Sequence, residues 1–417
     1  MRGTNALLPG GGFDVDRLLA PGQALIAYFA RAQLAGPKPE RVALAQAWGR
    51  VLADSIVADS DYPAAARSSM DGFAVDSART PGTFRIAGDV RMGSVWPRAV
   101  EPGAALRIPT GGSLPDGCDA VVPIEDALVD GESVRVDRAV PAGDCVQPRA
   151  ADMRAGEPLL AAGTFVGAAE LGVLATLGMV DVPTYRQPVF AVLSSGDELV
   201  EASASPVLGQ IRDSNRWAIA GALQSMGARV LHLPIVPDEP AAAAAMLRDA
   251  LDQADGVILT GGSSVGARDL TPRIVNSLGE PGVIVHGLRV KPGKPTVLAA
   301  IDGKPVIGLP GNPTSALAIL TAVAAPIVAA LVGGLKRPLT IAGVLAEAYE
   351  KRAGWTWLVP VAVDERPETP EIRPLALHSG SVSLLARADG FLTLGEAVSS
   401  LPAGAPVRAT RFFVGGS

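Results

Sequence analysis

Residues Asp255–Asp269 read DGVILTGGSSVGARD, an apolar run that closes on glycines, serines, an arginine and an aspartate. The apolar run reads as a buried strand, and its neighbours say which kind of sheet it joins and whether the loop after it is a ligand-binding loop or only a flexible connection. From Gln187 the neighbours alternate. VFAVLSS (Val189–Ser195) reads as a strand, SNRWAIAGALQSMG (Ser214–Gly227) as a helix, RVLHLPIV (Arg229–Val236) as a strand and EPAAAAAMLRDALDQA (Glu239–Ala254) as a helix. After DGVIL come a helix near LTPRIVNSLG, strand-like GVIVHGLRV, TVLAAI and KPVIGLP, and a helix opening at PTSALAIL. Such alternation with short connections marks a parallel, doubly wound α/β sheet, here over residues 187–333.

Outward from this region the texture changes on both sides. Residues 334–417 carry the strand-like runs TIAGVLAEA, WTWLVPVAV, EIRPLAL, GFLTL and VRATRFF with no long helix between them, which predicts a C-terminal all-β domain. Residues 61–144 hold short β-prone runs (TFRIAGDV, AALRIPT, DAVVPI, SVRVDRAV) between Gly, Pro and Asp, a β-rich insertion. The flanking segments 14–60 and 145–186 read as helical, in DVDRLLAPGQALIAYFARAQL, VALAQAWGRVLADSI and GAAELGVLATLGMV, and together predict an α-containing discontinuous domain. The fold class is therefore α/β multidomain. At 417 residues, 48% hydrophobic and 19% charged, the chain has material for several cores.

A net charge of −6 argues against a general nucleic-acid-binding surface. Two cysteines, Cys118 and Cys145, cannot form a secreted disulfide framework, and three histidines supply a zinc site poorly. The first twenty residues lack an apolar run of signal-peptide length, so a cytoplasmic location is expected. Ala316–Val332 is uncharged and near membrane-spanning length, but it is rich in alanine, carries Pro326 and starts from a strand-end turn. It reads as a buried core helix, with no membrane partner.

In a doubly wound sheet, ligands bind beyond the carboxyl ends of the strands, where glycine turns and helix N-termini present backbone N–H groups. After VFAVL stand Asp197 and Glu198; after RVLHLPIV, Asp238; after DGVIL, Gly262, Ser263, Ser264 and Asp269; after KPVIGL, Asn312 and Ser315. Lys291 and Lys294, in KPGKP, precede TVLAA. Each motif alone also reads as a cap or a turn, and their convergence on one rim of parallel strands is what argues for a site. Hard carboxylate oxygens beside ammonium groups suit a phosphorylated, nucleotide-like ligand with a divalent cation. In the β insertion, SSMDGFAV places Asp71 at a turn, and RIPTGGSLPDGCDAVVPIED carries Thr110 and ends at Glu125 and Asp126. Polar loops on a small β domain suit closing a cleft against another domain or a second subunit.

The ordered series SSMDGFAV, PTGGSLPDGCDAVV, SSGDEL, GQIRDSN, TGGSSVGARD, KPGKP and LPGNPTSA resembles the molybdopterin molybdenumtransferase family, whose eukaryotic relatives include the E domain of gephyrin. The resemblance implies an elongated homodimer of four-domain subunits. In it the α/β domain resembles molybdopterin adenylyltransferase, and the active site is completed by the partner's β insertion. It implies Mg²⁺-dependent reaction of adenylylated molybdopterin with molybdate to give molybdenum cofactor, AMP and water. Molybdopterin adenylyltransferase and acceptor molybdoenzymes are the implied protein partners.

Position by position, the resemblance implies catalytic roles for Asp71, Thr110, Glu198, Asp238, Asp269 and Lys291, with Glu198, Asp238 and Asp269 as metal ligands. It implies substrate contacts from Asp152, Asp197, Gly262, Ser263, Ser264, Lys294, Asn312, Ser315 and, in HSGSVSLLARADG, Ser379. Three departures stand out. The usual Gly-Glu before the aspartate is Ala150-Ala151; a lysine often found before KPGKP is replaced at Gly287, with Arg289 and His286 nearby; and Ser263 adds a hydroxyl to the glycine loop. Two other readings share the fold: a non-catalytic molybdopterin-binding scaffold, and a molybdopterin adenylyltransferase. The retained acidic residues and Lys291 favour the transferase over the first, and the full-length match favours it over the second.

Overall fold

The structure is a computed structural model that describes residues 4–5, 13–237, 239–261, 271–334, 340–375 and 381–412. The chain divides into two compact units, one of residues 1–54, 163–171 and 180–417, the other of residues 55–162 and 172–179.

The first unit is built on a seven-stranded sheet. Its strands are β1 (Thr4–Asn5), β2 (Val189–Ser194), β3 (Arg229–His232), β4 (Gly256–Thr260), β5 (Pro281–His286), β7 (Val297–Ile301) and β8 (Lys304–Leu309). The short β6 (Val290–Lys291) lies between β5 and β7 in the chain but joins a different sheet. The spatial order is β1-β5-β7-β8-β4-β2-β3. Strand side chains alternate between two faces. Phe190, Val192, Ile258, Ile307 and Leu298 enter one core, and Ala191, Leu193, Val257, Val306 and Val297 enter another. The first face is covered by helices α1 (Pro21–Ala32), α2 (Asn215–Ser225) and α5 (Pro313–Val332), the second by α3 (Pro240–Gln253) and α4 (Thr271–Leu278). This is the doubly wound arrangement expected from the alternation.

One strand departs from the parallel pattern. β2 pairs parallel with β3 and β4, and β4 with β8, but β7 runs antiparallel to both β8 and β5. The cause is local. Ile301 and Lys304 are paired across the two-residue turn Asp302-Gly303, whose φ angles are +49° and +80°, and such a left-handed Asp-Gly turn makes a tight antiparallel hairpin. The reversal matters for the site. Val297, the first residue of β7, lies opposite Gly308 near the end of β8, so KPGKP enters from the rim where β8, β4 and β2 end. A parallel β7 would have put both lysines at the opposite edge.

The apolar helix α5 is long and apolar enough to cross a membrane, and most of it is buried within this unit. A π-helical turn at Leu320–Ala324 leads into Pro326. Pro326 has no N–H to donate and its ring crowds the carbonyl one turn back, so widening the helix there relieves the conflict.

The helical expectation for Val42–Ile56 does not hold. Pro39–Ala43 is a strand antiparallel to Asp181–Tyr185, followed by a single 3₁₀ turn at Leu44–Gln46 and by Gly49 at φ +75°. The distant backbone pairing overrides the local pattern, and an exposed Arg41–Asp181 ion pair at 2.6 Å spans the two strands. In the C-terminal region, β9 (Thr356–Asp364), Glu371–Pro374, Thr340–Leu345, Pro406–Arg411 and Gly390–Leu394 pair in that order, and the last closes back on β9. The all-β domain is thus a barrel, filled by Leu345, Val359, Val361, Ile372 and Leu392.

The second unit is centred on a six-stranded sheet ordered Ala120–Pro123, Gly72–Val75, Ala104–Ile108, Gly82–Asp89, Ser133–Val136, Leu128–Asp130. All four β-prone runs of the insertion are strands here. Phe73, Val75, Phe84, Val122 and Val134 fill one core, and Ala74, Leu106, Ile108 and Val121 another.

Candidate active site

In the first unit three strand ends converge. The N–H of Ser195, just after β2, donates to the Thr260 carbonyl at the end of β4 (2.8 Å). Gly261 follows at φ +84°, and a Cβ there would lie 2.0 Å from the Ser195 carbonyl oxygen, so only glycine allows the two backbones this approach. A Cβ at Gly311, after β8, would lie 3.7 Å from the Gly261 Cα. The turns after β2, β4 and β8 therefore form one glycine-lined rim.

Glu198 belongs to it. Gly196 sits at φ +155°, and a Cβ there would lie 2.6 Å from Glu198 Oε2, so the carboxylate is folded over the glycine. The loop is closed on itself by a small parallel ladder, in which the N–H groups of Ile211 and Asp213 donate to the carbonyls of Glu198 (2.8 Å) and Val200 (2.9 Å). Asp197 and Glu198 are exposed, as is Asn312, which stands at the N-terminus of α5 with no side-chain cap bond. Ser315, one turn further on, is buried.

Two residues hold this rim together that sequence reasoning did not single out. Asn215, at the start of α2, donates from Nδ2 to Thr260 Oγ1 (2.8 Å) and to the Gly311 carbonyl (2.7 Å), tying the end of β4 to the end of β8. Its Oδ1 is buried with no partner among the described residues. Arg216 is buried and reaches three segments: Glu201 in the loop after Glu198, Asp213 at 3.4 Å before the helix, and the Leu233 carbonyl at 2.8 Å after β3. A signal was present. An arginine in the first turn opposes the helix dipole, so its place there needs another reason.

Lys291 and Lys294 are placed by aromatic rings. Lys291 Nζ lies 4.4 Å from the Trp357 ring centroid, and Lys294 Nζ lies 5.3 Å from that of Phe13. Neither ammonium is paired with a carboxylate among the described residues. The chain could carry no lysine at Gly287, where φ is +90° and a Cβ would lie 2.6 Å from the Phe13 ring. Of its neighbours, Arg289 is tied to Glu396 at 3.0 Å, and His286 is buried against Phe13.

In the second unit the two expected loops meet. Asp71 Oδ1 accepts from the Thr110 N–H (2.7 Å) and from its hydroxyl (3.1 Å). The loops are laced by their backbones, Gly111 N–H to the Ser68 carbonyl (2.8 Å) and Ser68 N–H to the Gly112 carbonyl (2.9 Å). Gly72 is obligatory, since a Cβ would lie 1.9 Å from the Val122 carbonyl oxygen. Asp152 is exposed on a separate loop shaped by Asp61, which accepts from the Ala155 N–H (2.9 Å) and pairs with Arg149 (2.7 Å). These bonds, the Ala155 N–H first, hold the Asp61 carboxyl below the usual carboxylate range. Burial pushes the Cys118 thiol up to about 12, away from the thiolate form.

Asp238, Gly262, Ser263, Ser264, Asp269 and Ser379 lie outside the described residues. Among the described residues no group of three His, Cys, Asp or Glu side chains is arranged to hold a metal ion. Of the three expected ligands, Glu198 offers an exposed hard oxygen, which fits one position of a Mg²⁺ shell.

Comparison with known proteins accounts for nearly the whole chain. Residues 20–178 match the MoeA N-terminal region (domain I and II), residues 191–330 a "Probable molybdopterin binding domain", and residues 342–412 the MoeA C-terminal region (domain IV). Two relatives named molybdopterin molybdenumtransferase are similar throughout. That of Synechocystis sp. is 31% identical, covering 86% of this chain and 91% of its own length, and that of Bacillus subtilis is 32% identical, covering 85% of each. The crystal structure of a molybdopterin biosynthesis MoeA protein from Pyrococcus horikoshii superposes with a TM-score of 0.77 at 29% identity, over 95% of this chain and 99% of that one. A fold shared from end to end and a glycine rim at the expected strand ends lead to one conclusion: the chain belongs to the molybdopterin molybdenumtransferase family.

Proposed function

We propose that this protein completes molybdenum cofactor synthesis: adenylylated molybdopterin and molybdate are its substrates, and molybdenum cofactor, AMP and water its products. The observation that carries the reading is the glycine rim with Glu198 folded over it, in a chain matched along its length by transferases of that name. The glycine turns after β2, β4 and β8 end at one rim, the place where main-chain N–H groups of a doubly wound sheet receive a ligand's phosphates. Gly262, Ser263, Ser264, Asn312 and Ser379 contribute further substrate contacts, while Ser315 is buried one turn into α5.

Lys291 and Lys294 offset the charge of the phosphoanhydride and of molybdate. Glu198, Asp238 and Asp269 would hold Mg²⁺, which when bound supplies positive charge to the phosphate oxygens. Asp71, held by two bonds from Thr110, presents a fixed carboxylate that orients attack at the phosphoanhydride, and Asp152 contributes a substrate contact. Asp197 lies beside Glu198 as a polar contact. The working form is a cytoplasmic homodimer with the site shared between subunits, receiving substrate from a molybdopterin adenylyltransferase and passing product to acceptor molybdoenzymes.

The test is direct. Purified protein incubated with adenylylated molybdopterin, Mg²⁺ and molybdate releases AMP, and release requires molybdate. Folded protein that binds the substrate without releasing AMP would make it a scaffold, and production of adenylylated molybdopterin from MgATP would make it an adenylyltransferase. Asp269→Ala loses about 100-fold or more in rate, as expected for a group that stabilises charge developing in the transition state. Wild-type turnover by that variant refutes its role.

A further inference from the structure

The segment that carries Lys291 belongs to two sheets at once. It leaves β5 of the α/β sheet, forms β6, and there pairs parallel with β9 of the C-terminal barrel, Val290 opposite Thr356 and Lys291 opposite Trp357. The backbone on its N-terminal side is pinned. Arg289 donates its N–H to the Leu19 carbonyl (2.8 Å), accepts from the Thr356 N–H (3.1 Å), and pairs through its guanidinium with Glu396 of the barrel region (3.0 Å). On its C-terminal side, Gly293 stands at φ +113°, where a Cβ would lie 2.3 Å from the Ile319 side chain of α5.

Register partners project to the same face of a sheet, and the Lys291 ammonium lies 4.4 Å from the Trp357 ring centroid. Trp357 is itself steadied by the edge contact of Tyr349, at 6.5 Å between ring centroids. The choice of partner has a consequence. A carboxylate would hold the ammonium by cancelling its charge, whereas an aromatic face restricts the long side chain and leaves the charge and its N–H donors for a ligand.

We propose that Trp357 is a positioning residue, holding the Lys291 ammonium over its indole face so that the barrel aims this charge at the phosphate-bearing substrate. The proposal rests on the role proposed above for Lys291, offsetting the charge of the substrate's phosphoanhydride. It gives the barrel a function at the site: its first long strand sets where one cation stands.

The test uses the full-length protein with Trp357→Leu, Trp357→Phe, Lys291→Met and the Trp357→Leu/Lys291→Met double variant. Trp357→Leu raises KM for adenylylated molybdopterin about three- to tenfold with little change in kcat, and Trp357→Phe, which keeps a π face, stays within about twofold of wild type. The double variant is no worse than Lys291→Met alone, because both remove one interaction. Independently of turnover, the ¹³C-methyl resonance of reductively methylated Lys291 is shifted by the ring current in wild type and Trp357→Phe and returns to the bulk lysine position in Trp357→Leu.

Additive effects in the double variant, failure of Trp357→Phe to rescue, or an unshifted Lys291 resonance in wild type would each overturn the proposal. If Lys291→Met leaves KM unchanged while the resonance is shifted, Lys291 is not a substrate contact and the proposal falls with that assignment. AMP release by the same variant would show that the activity itself stands.

Discussion

Ala150 occupies the left-handed region at φ +59°, where a Cβ crowds the following carbonyl, and its N–H is bound to the Pro63 carbonyl at 3.0 Å. This is the position where the resembling family usually has glycine, and the angle gives the reason. Glycine would adopt it without steric cost, against some loss of chain entropy on folding. Ala150→Gly is therefore expected to stabilise the fold by about 0.5–1 kcal/mol, read as a higher urea midpoint at unchanged slope. A lower midpoint would mean that the left-handed alanine carries no strain. The substitution was visible in the sequence, but its meaning was not, because a backbone angle is set by the loop around it. Asn215 and Arg216 make the same point at the rim. Their residue types allow capping, solvation or bracing, and only packing shows that Asn215 bridges Thr260 and Gly311.

Among elements, the loop Arg149–Ala155 is shaped by one carboxylate, and its pH response follows from that. Asp61 is held below the usual carboxylate range by the Ala155 N–H and then by Arg149. A folded pKa depressed relative to the unfolded chain gives stability that is present above the unfolded value and lost as pH falls through the folded one. The loop should keep its form at neutral pH and loosen only below about pH 4. The Ala155 amide proton shift should titrate with a midpoint under the ordinary aspartate range in wild type and lose that titration in Asp61→Asn; a midpoint at or above it would refute the bond's role. At this scale much was legible. Apolar runs ending in glycine gave β2, β4 and β8 and the rim at their ends. The reversal of β7 was legible too, in Asp302-Gly303, but that signal occupies two residues against three long apolar runs that suit parallel strands equally well. The strand Pro39–Ala43 was not, because its partner lies about 140 residues away and its own sequence suits a helix.

For the molecule as a whole, the sequence suggested a C-terminal all-β domain separate from the α/β domain, and the packing within the first unit joins them. One core cluster includes Phe190, Val192 and Ile258 of the sheet, Ile319, Val323 and Ile327 of α5, and Leu358 and Phe391 of the barrel. Phe391, 2% exposed, is a barrel residue whose loss would be felt on both sides. Removing its ring leaves a cavity in a close-packed interior, which costs about 3–5 kcal/mol. If barrel and α/β sheet open as one cooperative unit, Phe391→Ala lowers amide-exchange protection in Pro313–Val332 by as much as in Thr356–Asp364. Protection lost from the barrel strands alone would show that the shared cluster does not couple them. That outcome would also weaken the case that Trp357 aims Lys291, since a barrel that opens independently cannot fix the position of a cation on the strand it shares with the rest of the unit.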